Sequence, residues 1–154
     1  EQKLRELPRM GAKLEDKVLK SIALYRRSAG RFHLDLARQT ADEVIALLRQ
    51  VPGVHHAVAA GSLRRGKETV GDIDILVAGT AAEKALAAFV QWPKVEEVLG
   101  HGDNKASARV GVEGLQVDVR SVPEESLGAA LQYFTGSKEH NVVLRTRAVK
   151  RGLT

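Results

Sequence analysis

The stretch Gly71-Asp72-Ile73-Asp74-Ile75-Leu76-Val77-Ala78 constrains this chain more than any other. Its β-branched and apolar residues predict a strand over 72–78. Side chains alternate faces along a strand, so Asp72 and Asp74 share one face while Ile73, Ile75 and Val77 share the other. Two carboxylates side by side repel each other unless positive charge lies between them. A divalent cation is the economical solution. Mg²⁺ takes hard oxygen ligands, commonly one or two carboxylates plus substrate phosphates. A second predicted strand, 115–121, carries Asp118 between Val117 and Val119. If that strand lies beside the first, Asp118 completes a cluster able to hold two cations.

Gly61-Ser62 directly follows the predicted strand 54–60 and precedes Asp72 by ten residues. Glycine there permits a sharp turn and close backbone approach to a ligand. Free backbone N–H groups and the Ser62 hydroxyl can then face phosphate oxygens. Arg64, Arg65 and Lys67 crowd the same loop, and arginine's planar fork bonds two phosphate oxygens at once. Gly71 leaves room for a phosphate beside Asp72. A phosphate turn next to paired carboxylates points to nucleotidyl transfer.

Composition sets the frame for this chemistry. The 154 residues suffice for one compact domain or two small subdomains, and 44% hydrophobic with 4% aromatic content predicts an aliphatic core. The absence of cysteine excludes disulfides and Cys-based zinc sites and suits a reducing compartment. There is no apolar run of membrane-spanning length and no signal peptide, so no membrane partner is expected. The net charge of +5 suits a polyanionic partner such as nucleic acid. The histidines are scattered and form no metal or nucleophile set. Starting at Glu1 rather than Met and stopping abruptly at Gly152-Leu153-Thr154, the chain is expected to be a piece of a longer protein.

Helical spacing predicts a helix over 12–27, with Leu14, Val18, Leu19, Ile22 and Leu24 apolar, and another over 33–50, with Leu36, Val44, Leu47 and Leu48 buried. Further helices are predicted over 81–91, 123–132 and 137–151, and further strands over 94–99 and 104–112, with a turn at Glu113-Gly114. Three segments result: an N-terminal helical part (1–50), a central sheet part (51–122) and a C-terminal helical part (123–154). The fold class is α/β (α+β), with a mixed or antiparallel sheet flanked by helices.

Gly61-Ser62-x-Arg64-Arg65-Gly66 followed by Gly71-Asp72-x-Asp74 resembles the palm of the family X DNA polymerases, within the nucleotidyltransferase superfamily. Tyr133-Phe134-Thr135-Gly136-Ser137 resembles that family's segment at the nucleotide pocket, and the continuation from Lys138 to Arg145 resembles the bacterial branch. Leu4-Arg5-Glu6-Leu7-Pro8 resembles the end of the helical DNA-binding subdomain. The resemblance runs through nearly the whole chain in order. It implies a fingers-like end at 1–50, a palm at 51–122 and the start of a truncated thumb at 123–154.

The resemblance implies roles as well. Asp72 and Asp74 would bind both metals, and Asp118 the catalytic one. Gly61, Ser62, Arg65 and Gly71 would hold the triphosphate, with Arg31 reaching it from the helical part. Tyr133, Phe134 and Gly136 would form the sugar pocket, Asn141 would meet the incoming base, and Arg145 the template strand. The implied cofactors are two Mg²⁺ ions, with Mn²⁺ as a substitute. The implied activity is addition of deoxynucleoside triphosphates to a primer 3′-end, on primer-template or gapped DNA in repair, by a monomer in the bacterial cytoplasm. Three departures stand out. Val70 replaces a phosphate-contacting Ser of the animal repair enzymes, Gln116 an Arg two residues before the third Asp, and Arg9-Met10-Gly11 a Gly-apolar-Gly hairpin. The lyase-like domain, most of the thumb and a metal-dependent phosphoesterase domain are expected to lie outside the chain.

Two alternatives share part of this pattern. Another nucleotidyltransferase, acting on RNA ends or a small molecule, would keep Gly61-Ser62 and the aspartates but would not need Tyr133–Ser137, Asn141 and Arg145. A non-catalytic DNA-binding module, lacking parts of the DNA clamp, would bind nucleotide or DNA yet polymerise poorly.

Overall fold

The computed structural model describes residues 11–19 and 30–153. Contacts divide the chain into two units, residues 1–30 and 31–154. In the first, residues 12–19 are helical (α1). The rest of the helix predicted to residue 27, and the Leu4–Pro8 segment, lie outside the described residues.

The second unit opens with the two-residue strand β1 (Phe32–His33) and helix α2 (Leu34–Arg49). The buried stripe of α2 is Ala37, Ala41, Val44 and Leu48, spaced so that all four fall on one face. Leu36 and Leu47, predicted inside, are only half-buried on its flanks. The first two positions of the stripe are alanines. This packing puts α2 in the unit that begins at Arg31.

Strand β2 (Val54–Ala59) leads into a one-turn helix, α3 (Gly61–Arg64), where the sequence predicted only a turn. Then come β3 (Thr69–Val70), β4 (Asp72–Gly79), α4 (Ala82–Val90), β5 (Val95–His101), β6 (Lys105–Val110) and β7 (Leu115–Ser121). A 3₁₀ turn (Glu124–Ser126) precedes α5 (Leu127–Thr135) and α6 (Lys138–Lys150). The main sheet has the order β2-β4-β7-β6-β5 and is mixed: β4 and β7 run parallel, and every other pair is antiparallel. The short strands β1 and β3 pair separately, placing Phe32 opposite Val70.

One face of the sheet is apolar. Ile73, Ile75 and Val77 of β4, Val117 and Val119 of β7, and Ala106 and Ala108 of β6 are fully buried there. Helices α2 and α4 cover this side, α4 contributing Ala85, Leu86 and Phe89. The opposite face carries Asp72, Asp74, Gln116, Asp118, Arg120, Lys105, Ser107 and Arg109, as two-residue alternation requires. Helix α5 lies against β4, so along β4 the polar face is open at the start of the strand, where Asp72 is exposed, and closed by Leu76, which is buried.

Candidate active site

The strands β4 and β7 are neighbours, which meets the condition set for Asp118. Their register aligns Asp72 with Gln116 and Asp74 with Asp118. Three carboxylates thus share one end of two adjacent parallel strands. Asp72 is exposed, Asp74 half-buried and Asp118 only 6% exposed.

The crowding shows in the electrostatics. Burial, then the charges of Asp72 and Asp118, push the Asp74 carboxyl up to about 6, against partial relief from Arg120 and Lys105. Asp118 goes the other way. Burial works to raise it, but hydrogen bonds from Lys105, Ser107 and Gln116 outweigh that and hold it below the usual carboxylate range. Lys105 Nζ lies 2.5 Å from Asp118 Oδ2, and Gln116 Nε2 donates to Oδ1 at 3.3 Å. Ser107 sits directly opposite Asp118 in the β6–β7 register.

The donor set fits divalent cations: hard oxygens only, on rigid strands, with one carboxyl destabilised by its like-charged neighbours. Among the described residues no three His, Cys, Asp or Glu side chains are yet gathered closely enough to hold a metal ion. Both oxygens of Asp118 are engaged by Lys105 and Gln116.

Gly61 packs against this cluster. It has φ +59°, and a β-carbon there would collide with Oδ2 of Asp74. The Ala60 N–H donates to the Asp74 carbonyl at 2.8 Å, fixing the turn to the strand. Ser62 follows in the first turn of α3, where backbone N–H groups have no intrahelical partner. Arg65 closes α3 and donates through Nη1 to the carbonyl of Thr135, at the end of α5. Gly136 (φ +72°) makes room for this contact, since a β-carbon there would sit 3.1 Å from Arg65 Nη1. The basic turn and the segment 133–137 are therefore joined.

Arg31 donates to Thr69 Oγ1 at 2.7 Å and to the Thr69 carbonyl at 2.5 Å. This places it beside β3, just ahead of Gly71 and Asp72. Val70 is fully buried opposite Phe32, so a core side chain stands at that departure. Tyr133 and Phe134 meet edge to face at 5.1 Å. The Arg120 guanidinium lies over the Phe134 ring at 4.8 Å, joining this pair to the aspartate face. Tyr133 is 59% exposed. Asn141 donates to the Tyr133 carbonyl at 2.6 Å and accepts from Gln132 at 3.2 Å, which ties α6 to α5. Arg145 is exposed on α6.

Sequence reasoning missed Lys105 and gave Arg120 no role. The signal for both was the alternation Lys105-Ala106-Ser107-Ala108-Arg109-Val110, which sets three polar residues on one face. Placing them beside Asp118 required the strand pairing. Two surface grooves of ≈ 270 and ≈ 420 Å³ flank α2, and neither is lined by any of the three aspartates.

A mixed sheet backed by two helices, with three aspartates on its opposite face, is consistent with a polymerase-type palm. Family models agree: residues 35–102 match the DNA polymerase beta palm and residues 130–154 the DNA polymerase beta thumb. The chain is 34% identical to the DNA polymerase/3′-5′ exonuclease PolX of Bacillus subtilis (strain 168) over 153 residues, covering 99% of this chain and 27% of that protein. It is 27% identical to DNA polymerase lambda of Rattus norvegicus over 114 residues, covering 63% of this chain and 20% of that one. The chain belongs to the family X DNA polymerases. It spans about a quarter of the length of the curated relatives it matches.

Proposed function

We propose that the chain carries the nucleotidyl-transfer centre of a DNA-directed DNA polymerase that extends a primer 3′-end in gap-filling repair, in the bacterial cytoplasm. The observation that carries this reading is the register of β4 and β7, which sets Asp74 level with Asp118 and Asp72 two residues before, against the Gly61-Ser62 turn. Among the described residues no helix is long and apolar enough to cross a membrane.

Asp72, Asp74 and Asp118 would hold two Mg²⁺ ions, which when bound activate the primer 3′-hydroxyl and take up charge on the leaving pyrophosphate. The primer oxygen bonds to the α-phosphorus as the bond from that phosphorus to the β-phosphate oxygen breaks. Ser62, the α3 backbone and Gly71 would grip the β- and γ-phosphates. Arg65 is anchored at Thr135, so its remaining donors would reach the phosphates from the direction of the nucleotide pocket. Arg31, held at Thr69, would approach from the side of β3. Tyr133, Phe134 and Gly136 would shape the sugar pocket. Asn141 would have to give up the Tyr133 carbonyl to meet a base, and Arg145 would face the template strand. Segments 1–50, 51–122 and 123–154 correspond on this reading to fingers-like end, palm and thumb start, with α2 packed as part of the palm. The working unit is a monomer.

The test is a panel of acceptors given to the full-length protein with Mg²⁺: gapped DNA with deoxynucleotides, the same with ribonucleotides, RNA ends and small molecules. Transfer to gapped DNA with deoxynucleotide preference is expected. Transfer to a non-DNA acceptor alone would sink this reading.

A further inference from the structure

We propose that Lys105 is a built-in counterion for the third carboxylate: it holds Asp118 in the cation-free site and yields its oxygen to an arriving divalent cation. The inference rests on the three-aspartate reading above, and its test separates the two.

Lys105 and Asp118 lie diagonally on the same sheet face, since Lys105 pairs with Arg120 and Ser107 with Asp118. Diagonal neighbours sit about 7–8 Å apart at the backbone, within reach of a lysine stem. The ammonium closes to 2.5 Å from Oδ2. Burial is uneven across the pair: the Asp118 side chain is 8% exposed and that of Lys105 36%. A nearly buried carboxylate without a partner is costly, and Asp118 faces two further carboxylates on β4. Lys105 supplies the missing charge from the neighbouring strand, while Gln116 steadies the other oxygen.

The chemistry of lysine suits a temporary partner. Its ammonium is a point charge on a flexible stem, whereas an arginine fork would clamp both oxygens. Lys105 has an open route to solvent, so it can swing clear when a doubly charged ion takes Oδ2. Ion and ammonium therefore compete for one oxygen, and Lys105 is a positioning residue whose removal strengthens cation binding.

Titrating the full chain with Mn²⁺, followed by the signal of the free ion, reads this directly. Lys105→Met is expected to tighten Mn²⁺ binding about tenfold, as loss of a nearby like charge at a half-buried site implies. The variant should melt lower without metal and recover with saturating Mn²⁺. Lys105→Arg should bind Mn²⁺ no more tightly than the wild type. In an Asp118→Asn background the tightening by Lys105→Met should shrink, leaving only the longer-range effect of the Lys105 charge on Asp74. Lys105→Gln is the second variant should the methionine not fold, with the same tightening expected. Unchanged or weaker binding in Lys105→Met and Lys105→Gln, alongside weakened binding in Asp118→Asn, would overturn the counterion role and leave the metal site standing. Unweakened binding in Asp118→Asn would remove the metal site and the counterion role together.

Discussion

Gly61 and Asp74 contend for the same volume. The absent β-carbon of Gly61 is what allows the Asp74 carboxylate its place, and the backbone there has φ +59°. Gly61→Ala is expected to cost roughly 1–3 kcal/mol through backbone strain and to displace Asp74, so Mn²⁺ affinity should fall along with the denaturation midpoint. An unaltered Mn²⁺ titration would show that the turn does not position the carboxylate. Asp74 also gives a pH dependence. Its carboxyl is raised to about 6 in the fold from an ordinary value of 3.8, so the folded chain binds this proton more firmly than the unfolded one. The associated stability is present below the unfolded value and is lost as pH rises through about 6. Without metal, the melting temperature should therefore decline between about pH 4 and 6 from this group, and Mg²⁺ at pH 7 should raise it. A metal-free midpoint that climbs across that window through Asp74, judged against Asp74→Asn, would contradict the crowding. At this scale the shared face of Asp72 and Asp74, and the turn at Gly61, could be read from the sequence alone. Lys105 could not, because its partner is fixed by which strands pair.

Elements decide how those residues meet. The parallel pairing of β4 with β7 brings together strands separated by α4, β5 and β6. No local pattern in the sequence states that adjacency, so Asp118 stayed conditional until the sheet order was known. The two-residue strands β1 and β3 were not legible either; they are too short to show alternation, and their pairing buries Val70. Helix α2 illustrates the converse limit. Its period was legible, and Val44 and Leu48 are buried as expected, but the rest of the buried stripe is Ala37 and Ala41 rather than Leu36 and Leu47. Ala41→Leu is expected to overpack this contact at a cost of about 1–3 kcal/mol. Denaturant unfolding should register that loss while the KM for deoxynucleotide stays the same. A changed KM would mean that α2 reaches the site through the sheet.

For the whole molecule, net charge and topology point to one partner class. The chain carries +5, and α6 presents Arg145, Arg147 and Lys150 at its exposed surface. Binding to gapped DNA should weaken at least about tenfold between 50 and 200 mM salt through counterion release; salt-insensitive binding would argue against a phosphate-contacting surface. A mixed or antiparallel sheet flanked by helices was legible from alternating apolar runs, whereas the division at Gly30–Arg31 was not, since it depends on what α2 packs against. The central claim is that Asp72, Asp74 and Asp118 act as one cation-holding centre for nucleotidyl transfer. Single-turnover incorporation of a deoxynucleotide into one-nucleotide gapped DNA by full-length Asp118→Ala, with Mg²⁺, tests it most directly. A loss of about 10³-fold or more in a variant that remains folded is predicted, equivalent to several kcal/mol of transition-state stabilisation; incorporation at the wild-type rate would contradict it.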